Sequence, residues 1–251
     1  MTDLFQLQLP PGKRIASLFL LPDCDMACRF CGSELDFAVM APEAARDLLR
    51  WLRARGVDQV VLGGGEPLLW PHGLAGLAAS AKDLGFTVQV CTNGRGLSED
   101  LLASPAIDRF ILPLESLDPA THDHLRLAPG GHHHHIQACL RQAMALGRSL
   151  TLSTVVTAEN LTHLPSLADH LEDLVLEGAR LHAWHLYRFL PIGRGGLRNG
   201  EALATSPQAY LAAVEAVRSR DRGFTIYRRS DMVHASSVAY FWAEAGGLRS
   251  A

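Results

Sequence analysis

Gln59-Val60-Val61-Leu62-Gly63-Gly64-Gly65-Glu66-Pro67 is the stretch from which the fold can be read. A short apolar run that breaks into glycines reads as a buried strand ending in a tight turn. Behind it, Leu74, Leu77, Ala78 and Ala81 recur at helical spacing up to Gly85. Ahead of it lies a helix with clear ends, with Pro42 near its start, Ala45, Leu48, Leu49 and Leu52 on one face, and Gly56 after its end. Further out, apolar strands are expected at 16–21, 86–91, 109–112, 150–157, 181–187 and 224–227. Between them, helices are expected after Ser98, at 136–146 and 167–176, and around Tyr210, Leu211, Val214 and Val217. Strands that alternate with helices build a parallel sheet with helices packed outside it. About six β/α units can be counted, fewer than the eight of a closed barrel. A curved, partly open barrel and a doubly wound sheet both satisfy this pattern.

A chain of 251 residues, 48% of them hydrophobic, can bury one large core as a single domain. Its formal charge of -3, spread over mixed Arg, Asp and Glu, offers no basic face to nucleic acid and no polybasic tract to a membrane. Residues 1–11 lack the pattern of a signal peptide, and no apolar run reaches the length of a membrane span. The expected location is cytoplasmic.

The signals for chemistry gather just beyond the carboxyl ends of the expected strands, where parallel α/β folds bind ligands. Of the five cysteines, three crowd together as Cys24-x-x-x-Cys28-x-x-Cys31, which a disulfide framework explains poorly and a metal centre explains well. Three thiolates from one loop can cap three irons of a cubane and leave the fourth open. A zinc site would need a fourth ligand from elsewhere in the chain. Cys91 and Cys139 are isolated in apolar patterns and are expected to be ordinary buried thiols. The run His132 to His135 points its rings in different directions and is expected to be a solvated helix start, not a metal site.

Taken together, these motifs resemble the radical S-adenosylmethionine (SAM) superfamily. The cysteine spacing matches its signature, as does the aromatic Phe30 before the last cysteine, which in that family lies against the adenine. Gly64-Gly65-Glu66-Pro67 is similar to the segment whose backbone and Glu meet the methionine amino group of SAM. Leu112-Pro113-Leu114-Glu115-Ser116, followed by His122-Asp123 and Arg126, resembles the family's ribose-binding segment. It departs at Pro113, where many members carry a serine. The resemblance then passes the ribose contact to Glu115 or Ser116, with Ser116 favoured, and leaves His122, Asp123 and Arg126 to hold the loop. By the same resemblance Ser153 or Thr154 takes the SAM carboxylate, and the backbone from Leu190 to Gly195 approaches adenine, while Arg188 and Arg194 are open to an anionic substrate group.

The resemblance implies a single-domain partial (β/α)6 barrel: a lead-in at residues 1–15, a core at 16–228 and an extension at 229–251. Its cofactors are one 4Fe-4S cluster and SAM, its electron donor a flavodoxin or ferredoxin. It implies reductive cleavage of SAM to a 5'-deoxyadenosyl radical that abstracts hydrogen from a substrate. With no cysteine after Cys139 for an auxiliary cluster, and a short stretch before the first strand, a small metabolite or cofactor precursor is the expected substrate. Peptide or protein maturation is the second expectation, and a non-catalytic iron-sulfur or zinc-binding module is the alternative of another class.

Overall fold

The strands pair in chain order. The computed structural model describes residues 7–34, 36–128, 130–232, 235, 237–245 and 247–251. In it β1 (Ile15–Phe19), β2 (Gln59–Gly63), β3 (Thr87–Cys91), β4 (Arg109–Pro113), β5 (Ser149–Val156), β6 (Arg180–Arg188) and β7 (Thr225–Arg229) form one parallel series. On the far side of β1 the chain adds β8 (Val238–Glu244), parallel to β1, and then β9 (Gly247–Ser250), antiparallel to β8, giving the sheet order β7-β6-β5-β4-β3-β2-β1-β8-β9. A doubly wound sheet needs a reversal of strand order, and none occurs from β1 to β7. Successive right-handed crossovers that all step the same way stack their helices on one face, which settles the choice in favour of the open barrel.

The helices are α1 (Pro42–Arg53), α2 (Leu74–Asp83), α3 (Glu99–Ala103), α4 (Pro119–Arg126), α5 (His132–Ala145), α6 (Leu164–Leu176), α7 (Gly193–Gly196), α8 (Gly200–Leu203) and α9 (Pro207–Arg218). In α1, Pro42 occupies the first turn, where its missing N–H costs nothing, and the predicted apolar face is buried. Asp118 caps α4 by accepting from the N–H groups of Ala120 and Thr121.

Strand residues alternate between two environments. Val88, Val90, Phe110, Leu112, Trp184, Leu186 and Phe241 join one continuous core under the helices. Arg228 also faces outward, where it pairs with Glu215 of α9 at 3.1 Å. The alternate residues, among them Cys91, His185, Tyr187, Tyr227, Arg229 and Tyr240, therefore face the inner side. That side is concave. Arg229 on β7 and Tyr240 on β8 stand seven strand spacings apart, about 34 Å in a flat sheet. Yet they are close enough for the Arg229 charge to act on the Tyr240 hydroxyl. β7 and β8 are thus two facing lips of an open barrel.

The structure departs from the sequence reading at two elements. Val238–Glu244 and Gly247–Ser250, within the stretch set apart as an extension, are two strands of the same sheet. The histidine run starts α5 as expected but is only partly solvated: His134 is exposed, whereas His132 and His133 are buried, because the first turn of α5 packs against α4.

Candidate active site

Cys24, Cys28 and Cys31 lie in the loop after β1, and neighbouring segments fix that loop through its backbone. Gly65 N–H donates to Leu21 and Glu66 N–H to Asp23, at 2.7 and 2.8 Å. A Cβ on Gly65 would stand 2.0 Å from the Asp23 oxygen, so only glycine admits the loop. From the other side, Gly195 and Gly196 donate to the Cys31 carbonyl, and a Cβ on Gly195 would meet the Cys28 oxygen at 2.2 Å. The glycine runs after β2 and β6 therefore clamp the cysteine loop between them.

Each thiol has its own nitrogen donor from a different element. Asn93 Nδ2 lies 3.8 Å from Cys24 Sγ, Arg126 Nη1 3.8 Å from Cys28 Sγ, and Arg194 Nε 3.3 Å from Cys31 Sγ. Burial pushes the Cys28 thiol up to about 11 and raises Cys24 as well, against the pull of these cations. Such thiols give up their protons when a metal replaces them. The three sulfurs are not mutually within 4.8 Å, as the one triad that is, among the described residues, is His122, Asp123 and His132. Around a single tetrahedral zinc, thiolates stand about 3.8 Å apart, from a Zn–S bond of about 2.3 Å. A set that is not wholly within 4.8 Å is more open than that.

The histidine triad is no metal site, because its nitrogens are spent. His122 Nδ1 accepts from the Glu115 N–H at 3.1 Å, so its Nε2–H donates to His132 Nδ1 at 2.8 Å, and His132 Nε2–H donates to the Asn93 carbonyl at 2.8 Å. Both rings are neutral: burial and the Arg126 charge lower His122 to about 2 and His132 to about 4. This chain of bonds ties the end of β4 to the turn after β3.

The remaining sequence-derived residues fall into two groups. Glu66 is buried at the end of β2, where it accepts from Thr92 Oγ1 and Asn93 N–H at 2.6 Å each and from Leu68 N–H at 3.1 Å. Burial raises its pKa against those three bonds. Pro67 opens a single helical turn, Pro67–Leu69. Phe30 is buried with Met26, Cys28, Leu125 and Phe189, and the Arg126 guanidinium lies 5.2 Å over its ring. Leu190 follows β6, with its carbonyl taken by the Ile192 N–H at 2.8 Å. These residues surround the cysteines.

Three others already have their polar atoms bonded within the protein. Glu115 is wholly buried, its Oε1 held by Arg126 at 2.5 Å and its Oε2 by the Val155 N–H at 2.8 Å. Ser116 is equally buried and bonds His163 Nδ1 at 2.7 Å and the Asp118 N–H at 2.9 Å. Thr154 points outward, where it bonds the Leu114 carbonyl and Trp184 Nε1. Strand parity is the reason for the last, since Thr154 shares the side of Leu152 and Val156, and Ser153 is the residue turned inward. Cys91 also departs from expectation. It opens onto the inner chamber and is reachable by water, although protein surrounds it and burial pushes its thiol up to about 11.

Sequence reasoning missed Asn93 as a thiol partner, and it assigned Arg126 and Arg194 other roles. Their only signal was position after a strand end or in the segment after β4, because side chains 69, 98 and 163 residues from their sulfurs meet only in the folded chain.

The family model "Radical SAM superfamily" matches residues 18–171, and the chain belongs to that superfamily. Among curated proteins it is 31% identical over 202 residues to a PqqA peptide cyclase of Streptomyces rochei, covering 78% of this chain and 53% of that protein. It is 26% identical over 182 residues to an S-adenosylmethionine-dependent nucleotide dehydratase of Flammeovirga pacifica, covering 67% and 60%. Among solved structures it is similar to Streptococcus suis SuiB bound to S-adenosylmethionine, with a TM-score of 0.67 at 15% identity over 88% of this chain and 51% of that one. Methylornithine synthase gives a TM-score of 0.63 at 15% identity, over 86% and 65%. The chain spans little more than half the length of the curated relatives it matches. Among the described residues, no helix is long and apolar enough to cross a membrane.

Proposed function

We propose that this chain holds a 4Fe-4S cluster on Cys24, Cys28 and Cys31, binds SAM beside it and cleaves SAM reductively to act on a small organic substrate. The observation that carries this reading is the set of three thiols on one loop clamped by two glycine runs, each thiol met by a separate donor. Once bound, the cluster supplies the electron that splits SAM into methionine and a 5'-deoxyadenosyl radical, with a reduced flavodoxin or ferredoxin as the source. Asn93, Arg126 and Arg194 stabilise the thiolates that hold it. Glu66, fixed by three donors, keeps an acceptor lone pair for the SAM ammonium, since a carboxylate offers about four. Phe30 lines the adenine side. Ser153 faces inward and pairs in register with Pro113, so its hydroxyl supplies the ribose contact that Pro113 lacks.

A second reading, peptide modification, is favoured by the names of relatives: several are PqqA peptide cyclases, and SuiB has been solved with its precursor peptide. Anaerobic reconstitution followed by dithionite and SAM tests the shared chemistry. Release of 5'-deoxyadenosine, lost together with iron and sulfide when Cys24, Cys28 and Cys31 are all changed to Ala, is the expected result. Full iron content in that triple variant would refute it.

A further inference from the structure

Strands β1 to β7 contain no Asp or Glu at all. Their inner wall nevertheless carries Arg229, whose guanidinium lies 4.8 Å over the Tyr227 ring. Among the described residues no carboxylate is bonded to it. Around it the wall is aromatic. His185 meets Tyr227 edge-on at 5.0 Å between ring centroids, and its Nδ1 lies 3.1 Å from the Tyr187 hydroxyl. Tyr187 sits opposite Arg229 in the β6–β7 register, and Tyr240 faces them from the other lip of the barrel.

The acids nearby are bonded to other groups or stand at the exposed edge of this wall. Glu244, at the end of β8, is bonded to Trp242 and Arg249, and Asp231 lies exposed beyond the end of β7, close enough to Tyr240 to act on its hydroxyl. Glu66 and Glu115 at the cysteine rim are already bonded. The charged neighbours of His185 are all potential cations, Arg229, His182 and Arg109. A half-buried arginine beside tyrosine hydroxyls, with no acid bonded to it among the described residues, is an arrangement that an oxyanion completes, and the rings around it offer faces and edges to another flat ring.

We infer that the chamber between the β6–β7 wall and Tyr240 binds the substrate as a small organic anion, a carboxylate or phosphate ester carried on a planar ring, with Arg229 as the anion anchor. This rests on the proposed function, since it names the substrate class of that site. The anchor lies on the inner face of β7, the edge strand six places from β1 in the sheet order, so a substrate held there reaches from the β7 wall toward the cysteine loop that follows β1.

The experiment is calorimetric titration of the reconstituted, SAM-bound protein with phenyl phosphate, benzoate, benzylamine, benzyl alcohol and inorganic phosphate. One of the two aromatic anions is expected to bind at least tenfold more tightly than benzylamine, benzyl alcohol and inorganic phosphate, and which one it is identifies the oxyanion. Arg229→Gln should remove that preference while iron content and SAM binding persist, and Arg229→Lys should keep it within a few-fold. If Arg229→Gln does not fold, Tyr187→Phe, which deletes one hydroxyl without changing shape, should weaken the same anion about tenfold. Equal or tighter binding of benzylamine, or an anion preference that survives Arg229→Gln, would overturn the inference. Equal binding of inorganic phosphate would overturn the requirement for a ring. Loss of the cluster or of SAM binding in the unaltered protein would count against the proposed function and leave the anion preference to be read separately.

Discussion

The cysteine rim and the β6–β7 wall lie in one barrel and are finished in opposite ways. At the rim, the buried carboxylates are bonded: Glu115 to Arg126 and Glu66 to three donors, with the cysteine loop itself locked by backbone bonds from two sides. On the wall, Arg229 rests on a tyrosine ring and has no acid bonded to it among the described residues. A rim that is satisfied on its own holds a resident group in fixed geometry. A wall left electrostatically incomplete is completed by something that comes and goes.

The hardest test of this contrast is Arg126→Met. It strands Glu115 as a buried, unpaired carboxylate and strips Cys28 of its donor, and removing one partner of such a pair costs about 3–5 kcal/mol. Chemical denaturation and iron content should both fall. A double Glu115→Leu, Arg126→Met variant should recover much of the stability without recovering cluster occupancy, because the pair is replaceable by packing and the thiol donor is not. If iron content stays full in Arg126→Met, the rim does not depend on its donors and the contrast fails.

Glu66→Gln is the next step down. A glutamine presents an NH2 group to donors that a carboxylate accepts from, and it loses the charge that would meet an ammonium. SAM affinity, measured by equilibrium dialysis on cluster-loaded protein, should weaken between roughly tenfold and several hundredfold. Unchanged affinity would remove Glu66 from the SAM site and leave it as a clamp on Thr92 and Asn93.

At neutral pH the effect that a small acidification moves belongs to the histidine chain. His132 is neutral in the fold, held down to about 4 by burial and by the Arg126 charge, against 6.5 for an ordinary histidine. Below 6.5 the unfolded chain binds a proton that the folded chain refuses, so the stability this ring contributes is complete above 6.5 and is lost as pH falls toward 4. The slope is about 1.4 kcal/mol per pH unit for one such group. Denaturation midpoints of the unaltered protein and His132→Gln should therefore converge between pH 6.5 and 4. Parallel curves would show that the chain from Glu115 to Asn93 is not maintained by a neutral imidazole.

Legibility followed the range of the interactions. Strand and helix alternation, the apolar face of α1 and the three-cysteine loop are local patterns, and each could be read from neighbours a few residues apart. Residues 238–243 of β8 are a continuous apolar run, which marks a strand from the sequence, while the alternation of buried Ala239 and Phe241 with half-buried Tyr240 and Trp242 appears only in the fold. The face that Thr154 takes was hidden for a different reason. The strand was identified, but a polar residue on it says nothing about which of two faces it takes until the flanking Leu152 and Val156 are assigned to the helix side. His132 and His133 look like surface because histidines in a row have no period. Their burial comes from α4, which the sequence hid in a segment read as a loop.

The sequence by itself determined the parallel β/α order, the loop that carries the three cysteines and the absence of acids from the first seven strands, because each depends on residue type and local spacing alone. Tertiary structure decided the rest. It chose the open barrel, paired each thiol with a donor, enclosed Glu115 and Ser116 among partners of their own, turned Ser153 inward beside Pro113 and brought Tyr240 across to Arg229. Those outcomes depend on the curl of the sheet and on strand parity, which place residues far apart in the chain side by side, and no local pattern encodes a distance across a barrel.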